Sequence, residues 1–187
     1  MNAKVDNNSA VWYFIDAMKT QWTALLVLFF LGTTSLAQAQ FTWTTNSDGV
    51  SVTITGYTGP GGAVTIPAYL NDLVVTTVGA GTNDPNPYGD PVFSGSLTSV
   101  TIPSTVTSIA GSAFLYCTSL TNVTIPNTVA FIGNFAFEDC FDLTSITIPS
   151  SVTFLGLGAF SDCVTLTNAF FSGNAPGGSG LALRRCK

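Results

Sequence analysis

The chain has 187 residues, 8% of them charged, with a net charge of -5 and no histidine. That size fits one domain plus a processed segment. The acidic balance disfavours a nucleic-acid partner, because no basic stripe is present to displace phosphate counterions. Without histidine there is no Ser-His or Cys-His nucleophile pair, no His-ligated metal and no His proton shuttle.

The N-terminal segment up to Ala39 reads as processing signals. Lys19 precedes an apolar run from Trp22 to Leu31, and Ala37-Gln38-Ala39 follows as a small-x-small cleavage site. A run of this length falls short of the roughly 20 residues a membrane-spanning helix needs. Residues 18–39 are therefore expected to be a cleaved signal peptide. Met18 is the better start, and residues 1–17 are expected to be a mis-called extension.

Residues 40–62 predict an N-terminal hairpin cap. Two alternating runs within Phe41 to Tyr57 flank the turn signal Asn46-Ser47-Asp48-Gly49. A first, degenerate coil follows. Val64-Thr65-Ile66-Pro67 opens it, Leu73, Val75 and Val78 fill its inner positions, and Gly79 to Pro91 forms a loop by composition. Tyr88 is the loop's candidate contact residue. Val92-Phe93 closes this coil.

Three segments then align without gaps: Leu97 to Ser119, Leu120 to Asp142 and Leu143 to Thr165. A partial unit begins at Leu166, so Leu97, Leu120, Leu143 and Leu166 are evenly spaced and mark one constant period. Each unit obeys L-x-x-V/I-x-I-P-x-x-V-x-x-I/L-x(4)-A-F-x-x-C. Val100 and Ile102 alternate with Ser99 and Thr101, the period of a strand with one buried face. Pro103 has no N–H to donate and ends ladder pairing. The Ala113-Phe114…Cys117 step suits a short helical turn. One such unit cannot bury its own apolar side, but stacked neighbours share a core.

The L-x-x-V-x-I-P start and the A-F-x-x-C end resemble the BspA-like, or Treponema pallidum-type, leucine-rich repeats over about residues 63–176. The expected fold is an α/β solenoid, mostly β and right-handed. It has short parallel strands and short helical or 3-10 turns, and the hairpin precedes it. After Pro176 the period is expected to dissolve into an irregular tail, 177–187. This marks either a truncated or frame-shifted gene end or a flexible tail that pairs with another molecule through Cys186.

Cys117, Cys140 and Cys163 share one inward position and are expected to form a core ladder, since a spacing of 23 matches no zinc motif. Asp139 and Asp162, with Glu138 and Asp142 nearby, are expected to form a solvated acidic edge; a calcium site is the alternative weighed against it. Asn122-Val123-Thr124 is a glycosylation sequon, meaningful only in a eukaryotic secretory pathway. By analogy with leucine-rich repeats, the strand face would carry binding. Its residues are Ser99, Thr101, Asn122, Thr124, Ser145 and Thr147, with Asn168 and Phe170 at the end. The blander reading is that Ser, Thr and Asn keep a sheet soluble without charge. The resemblance implies a secreted or surface-displayed, non-enzymatic adhesion module. Such a module would use a protein or glycan partner, no cofactor, and no stable membrane span after cleavage. Self-association at an open C-terminal edge is a further expectation. The rival is a structural repeat segment, or a fragment of a longer surface protein, with no ligand of its own.

Overall fold

A computed structural model describes residues 40–79, 91–93 and 95–187. The expected extension, the signal peptide and Tyr88 lie outside the described residues. The elements are β1 (Phe41–Thr45), β2 (Ser51–Tyr57), β3 (Gly62–Thr65), β4 (Tyr69–Leu70), β5 (Leu73–Val78) and β6 (Leu97–Thr101). They continue with β7 (Ser108–Ile109), β8 (Asn122–Thr124), β9 (Phe131–Ile132), β10 (Ser145–Ile148), β11 (Phe154–Leu155) and β12 (Asn168–Phe171). The expected mostly-β solenoid is what forms, with about five coils.

Each coil contributes one strand to each of two parallel ladders. The first ladder holds the L-x-x-V/I-x strands: β3, β6 and β8 pair in order, and β10 pairs β12. β8 and β10 are neighbours, but no strand pairing is assigned between them. Val64, Val100, Val123 and Ile146 point inward from these strands and are buried. The second ladder runs β5, β7, β9, β11, built from the V-x-x-I/L steps, with Val78, Ile109, Ile132 and Leu155 wholly buried. Coils approach closely just after these residues. A Cβ on Gly133 would stand 2.5 Å from the Gly111 nitrogen, and one on Gly156 would stand 2.4 Å from the Gly133 carbonyl carbon. Only glycine lets those backbones meet.

The hairpin forms as expected, with β1 antiparallel to β2. Asp48 holds its turn: Oδ1 accepts the Val50 and Ser51 amides at 3.0 Å each, and Oδ2 accepts the Ser51 hydroxyl at 2.6 Å. The hydroxyl first, then the two amides, holds the Asp48 carboxyl below its ordinary value. β2 then pairs parallel with β5, so the cap begins the second ladder. In the first coil Leu70 is buried in the place expected of Leu73, which is only half-buried. The β4–β5 hairpin, tied at Leu70–Leu73, turns Leu70 inward.

The A-F-x-x-C step corrects the expectation of a helical turn. It is a chain of hydrogen-bonded turns, and the one helix among the described residues is the 3-10 turn Ser179–Leu181. Left-handed residues bracket the turns: Ser112 and Tyr116, Phe135 and Asp139, Gly158 and Asp162, at φ between 57° and 62°. A helix cannot pass through that conformation. The turns instead bond to the next coil: the amides of Phe114, Phe137 and Phe160 donate to the carbonyls of Ala136, Ala159 and Ala182 at 2.7–2.8 Å.

The last of these bonds overturns the irregular tail. Ala182-Leu183-Arg184-Arg185-Cys186 stands one full period after Ala159-Phe160-Ser161-Asp162-Cys163 and stacks on it. The Asp162 amide donates to the Arg184 carbonyl at 2.8 Å, Arg185 repeats the left-handed φ of 59°, and Ala182 is wholly buried. Leu155 and Gly177 continue the second ladder, with the Leu155 amide donating to the Gly177 carbonyl at 2.9 Å. The period does not dissolve at Pro176; it runs on to Cys186.

Candidate functional site

The strand face follows from the alternation that buries the valines and isoleucines. Side chains between them must point away from the core. Thr101, Asn122, Thr124, Ser145, Thr147, Asn168 and Phe170 are exposed, and Ser99 is half-buried. Pairing puts them in two rows. Ser99 faces Asn122, and Ser145 faces Asn168; Thr101 faces Thr124, and Thr147 faces Phe170. Ala63 and Thr65 of β3 extend the rows by one strand, opposite Ser99 and Thr101. The structure thus brings together all eight strand-face residues read from the sequence. Ala63 and Thr65 were missed, although the V-T-I-P step at Val64 places them.

Hydrogen bonding sets this face apart from a set of hydroxyls that tie one coil to the next. These reach back to the preceding coil: Thr121 to the Thr98 carbonyl at 3.0 Å, Thr128 to Val106 at 2.8 Å, Ser151 to Val129 at 2.7 Å and Thr153 to Ala130 at 3.1 Å. The side chains of Ser99, Thr101, Asn122, Thr124, Ser145 and Thr147 make no hydrogen bond among the described residues. Their donors and acceptors face solvent. Asn168 donates to the Thr167 hydroxyl at 3.0 Å, which fixes its amide at the edge of the row. Phe170 is 59% exposed.

Cys117, Cys140 and Cys163 are free and wholly buried, and Cys186 joins them as a fourth, half-buried thiol. Each thiol after the first donates to the preceding coil: Cys140 to the Phe114 carbonyl at 3.4 Å, Cys163 to Phe137 at 3.1 Å and Cys186 to Phe160 at 3.0 Å. Burial pushes Cys117 up to about 12 and Cys186 up to about 11. The neighbouring Cys163 thiol, then burial, pushes Cys140 up as well. The thiolate form that nucleophiles and metal ligands require is therefore disfavoured at these three positions.

The acidic positions lie on the turns. Burial first, then the charges of Asp139 and Asp162, raises Glu138; burial, then Asp162, raises Asp139. Arg185 pairs with Asp162 at 3.4 Å. Beside them lies a cleft of about 290 Å³ lined by Phe135, Gly158 and Leu181. Among the described residues no group of three His, Cys, Asp or Glu stands ready to hold a metal ion. No helix of the described residues is long and apolar enough to cross a membrane.

Comparison with known proteins identifies this architecture. The BspA type leucine rich repeat region matches residues 90–186 in six copies, so it takes in Cys186. A solved leucine-rich cell surface protein from Faecalibacterium prausnitzii is similar at 30% identity with a TM-score of 0.51. The match covers 79% of this chain but only 45% of that one, so the chain spans less than half of its length. A leucine-rich repeat protein from Bacteroides capillosus is similar at 28% identity with a TM-score of 0.57, covering 72% of this chain and 95% of that one. No curated protein sequence matches significantly. With its matched repeats and its coil geometry in agreement, the chain belongs to the BspA-type leucine-rich repeat family.

Proposed function

We propose that the chain is a non-enzymatic repeat module of an exported surface protein, and that its strand face binds a protein or glycan. The observation that carries this reading is the row of Ser, Thr and Asn side chains with no hydrogen-bond partner among the described residues. Several hydroxyls elsewhere in the coil, those of Thr121, Thr128, Ser151 and Thr153 among them, are committed to neighbouring coils; these are not. Two further facts support it. The apolar run with its small-x-small site reads as an export signal, and the similar F. prausnitzii protein is described as a cell surface protein.

Five strands at about 4.8 Å give a face roughly 20 Å tall. That is a few hundred Å², below the roughly 800 Å² per partner of a standard protein interface. Binding by one module is therefore weak and gains strength by repeated display. The test is solid-phase binding to matrix proteins and to glycans. Replacing Thr101, Thr124 and Thr147 together by Lys puts three charges on an uncharged face and is expected to abolish binding. Binding that survives the triple variant excludes the strand face.

A structural spacer is the second reading, favoured by one observation: the chain spans only 45% of a longer relative. A module that binds neither ligand class, in one copy or displayed in many, would be that spacer.

A further inference from the structure

We infer that the strand face fits an extended, neutral β-1,4-linked polysaccharide lying along the solenoid axis, across the strands. The inference rests on the reading that this face is the binding surface, and it names the ligand class. Four observations on the face converge.

The first is charge. No Asp, Glu, Lys or Arg lies on β3, β6, β8, β10 or β12. A charged polymer would leave its groups unpaired there, at the cost of desolvating them. The second is area. The face is too small for a standard protein partner, but a single sugar chain is narrow and needs only a strip.

The third is period. Successive strands are spaced by about 4.8 Å, close to the advance of one β-linked hexose in an extended chain. Along one row, after Ala63 on β3, the residues are Ser99, Asn122, Ser145 and Asn168. From Ser99 onward hydroxyl and amide alternate, so this part of the row repeats every second strand, at about 10 Å. In a β-1,4 chain successive sugars are turned over, and the same edge recurs every second sugar. The alternation of the row matches that of the ligand. The adjoining row, Thr65, Thr101, Thr124 and Thr147, supplies one hydroxyl per sugar, each able to donate and accept.

The fourth is Phe170. It ends the threonine row opposite Thr147 and is the most exposed aromatic residue among the described ones. A sugar ring carries its C–H bonds on its flat faces, and an exposed phenyl offers the apolar surface on which such a face packs. Phe170 is thus assigned as the stacking platform at one end of the strip.

The experiment is calorimetric titration of the chain with the cello- and chito-oligosaccharide series, trimer to hexamer, with maltohexaose as the α-linked control. Affinity is expected to rise with each added sugar and to change little with salt. Maltohexaose, which coils, should not bind. Phe170→Ala should weaken the hexamer roughly fivefold, and Thr124→Lys should abolish binding. The cello and chito arms separate a plain hexose polymer from an N-acetylated one. Equal binding of maltohexaose, or no gain with length, overturns the inference. So does a Thr124→Lys variant that loses a protein ligand while the parent chain binds no oligosaccharide; that outcome leaves the strand-face reading standing. If Thr124→Lys disturbs no binding of either class, both readings fall.

Discussion

Single residues in this molecule are judged by where the coil repeat puts them. Glu138 sits one step before the acidic column, and its neighbours make its charge costly. Burial and the charges of Asp139 and Asp162 raise its folded pKa above the unfolded value. An acid raised in this way penalises the folded state while it is ionised, and the penalty disappears as pH falls through the folded pKa to below the ordinary one. Glu138→Gln is therefore expected to raise the unfolding midpoint near neutrality and to lose that advantage in acid. Thermal unfolding across a pH series checks it. A variant no more stable than the parent at neutral pH would contradict the assignment. Asp48 has the opposite sign: its carboxyl is held low, so its contribution is present at neutral pH and lost as pH falls through the depressed value. Thr105 shows what a broken repeat does to one side chain. Its counterparts Thr128 and Ser151 donate to Val106 and Val129, but its own hydroxyl is buried without a partner among the described residues. The coil before it carries the insertion.

At the scale of the element, the A-F turn is the unit of stacking. Phe93, Phe114, Phe137 and Phe160 form a column of near-parallel rings with centroids 4.9–5.1 Å apart and interplanar angles of 3–8°. Phe41 and Tyr57 of the hairpin close its N-terminal end, with Tyr57 5.2 Å from Phe93. Phe137 is wholly buried with a ring on either side. Phe137→Ala is expected to cost about 3–5 kcal/mol, read from denaturant unfolding; a loss below about 1 kcal/mol would mean the column does not hold the coils together. The strands, the coil length and the buried Phe and Cys positions were legible in the sequence because each recurs in step with the leucines. The turn conformation was not. The left-handed column holds Tyr116, Asp139, Asp162 and Arg185, with no glycine to reveal it. Only Gly158, in the companion column of Ser112 and Phe135, carries the expected residue. It matters twice there, since a Cβ would meet the Phe135 ring at 2.7 Å. The last turn was also hidden. Leu183 replaces the phenylalanine and a glycine-rich stretch precedes it, so Ala182…Cys186 is found only by counting from Cys163.

For the whole molecule, the number of coils is easier to read from spacing than what each coil is joined to. Spacing alone does not show that β2 begins the second ladder, because a hairpin signal says nothing of what the hairpin pairs with next. The candidate site was legible as a list of positions but not as a site. Ser, Thr and Asn keep an uncharged sheet soluble as readily as they bind, and their spacing in the sequence does not tell the two apart. The coil-to-coil bonding has a mechanical consequence. The hydrogen bonds that join successive turns run from each coil to the next, as Phe114 to Ala136 and Phe137 to Ala159. Each coil is therefore fastened to its two neighbours alone. Pulled from the C-terminus with the hairpin end held, the solenoid is expected to peel one coil at a time. Each rupture would free about 80 Å of chain. A stretching trace with teeth at that interval checks this, and a single rupture would contradict it. A solenoid built this way lengthens under load in steps before it gives way entirely.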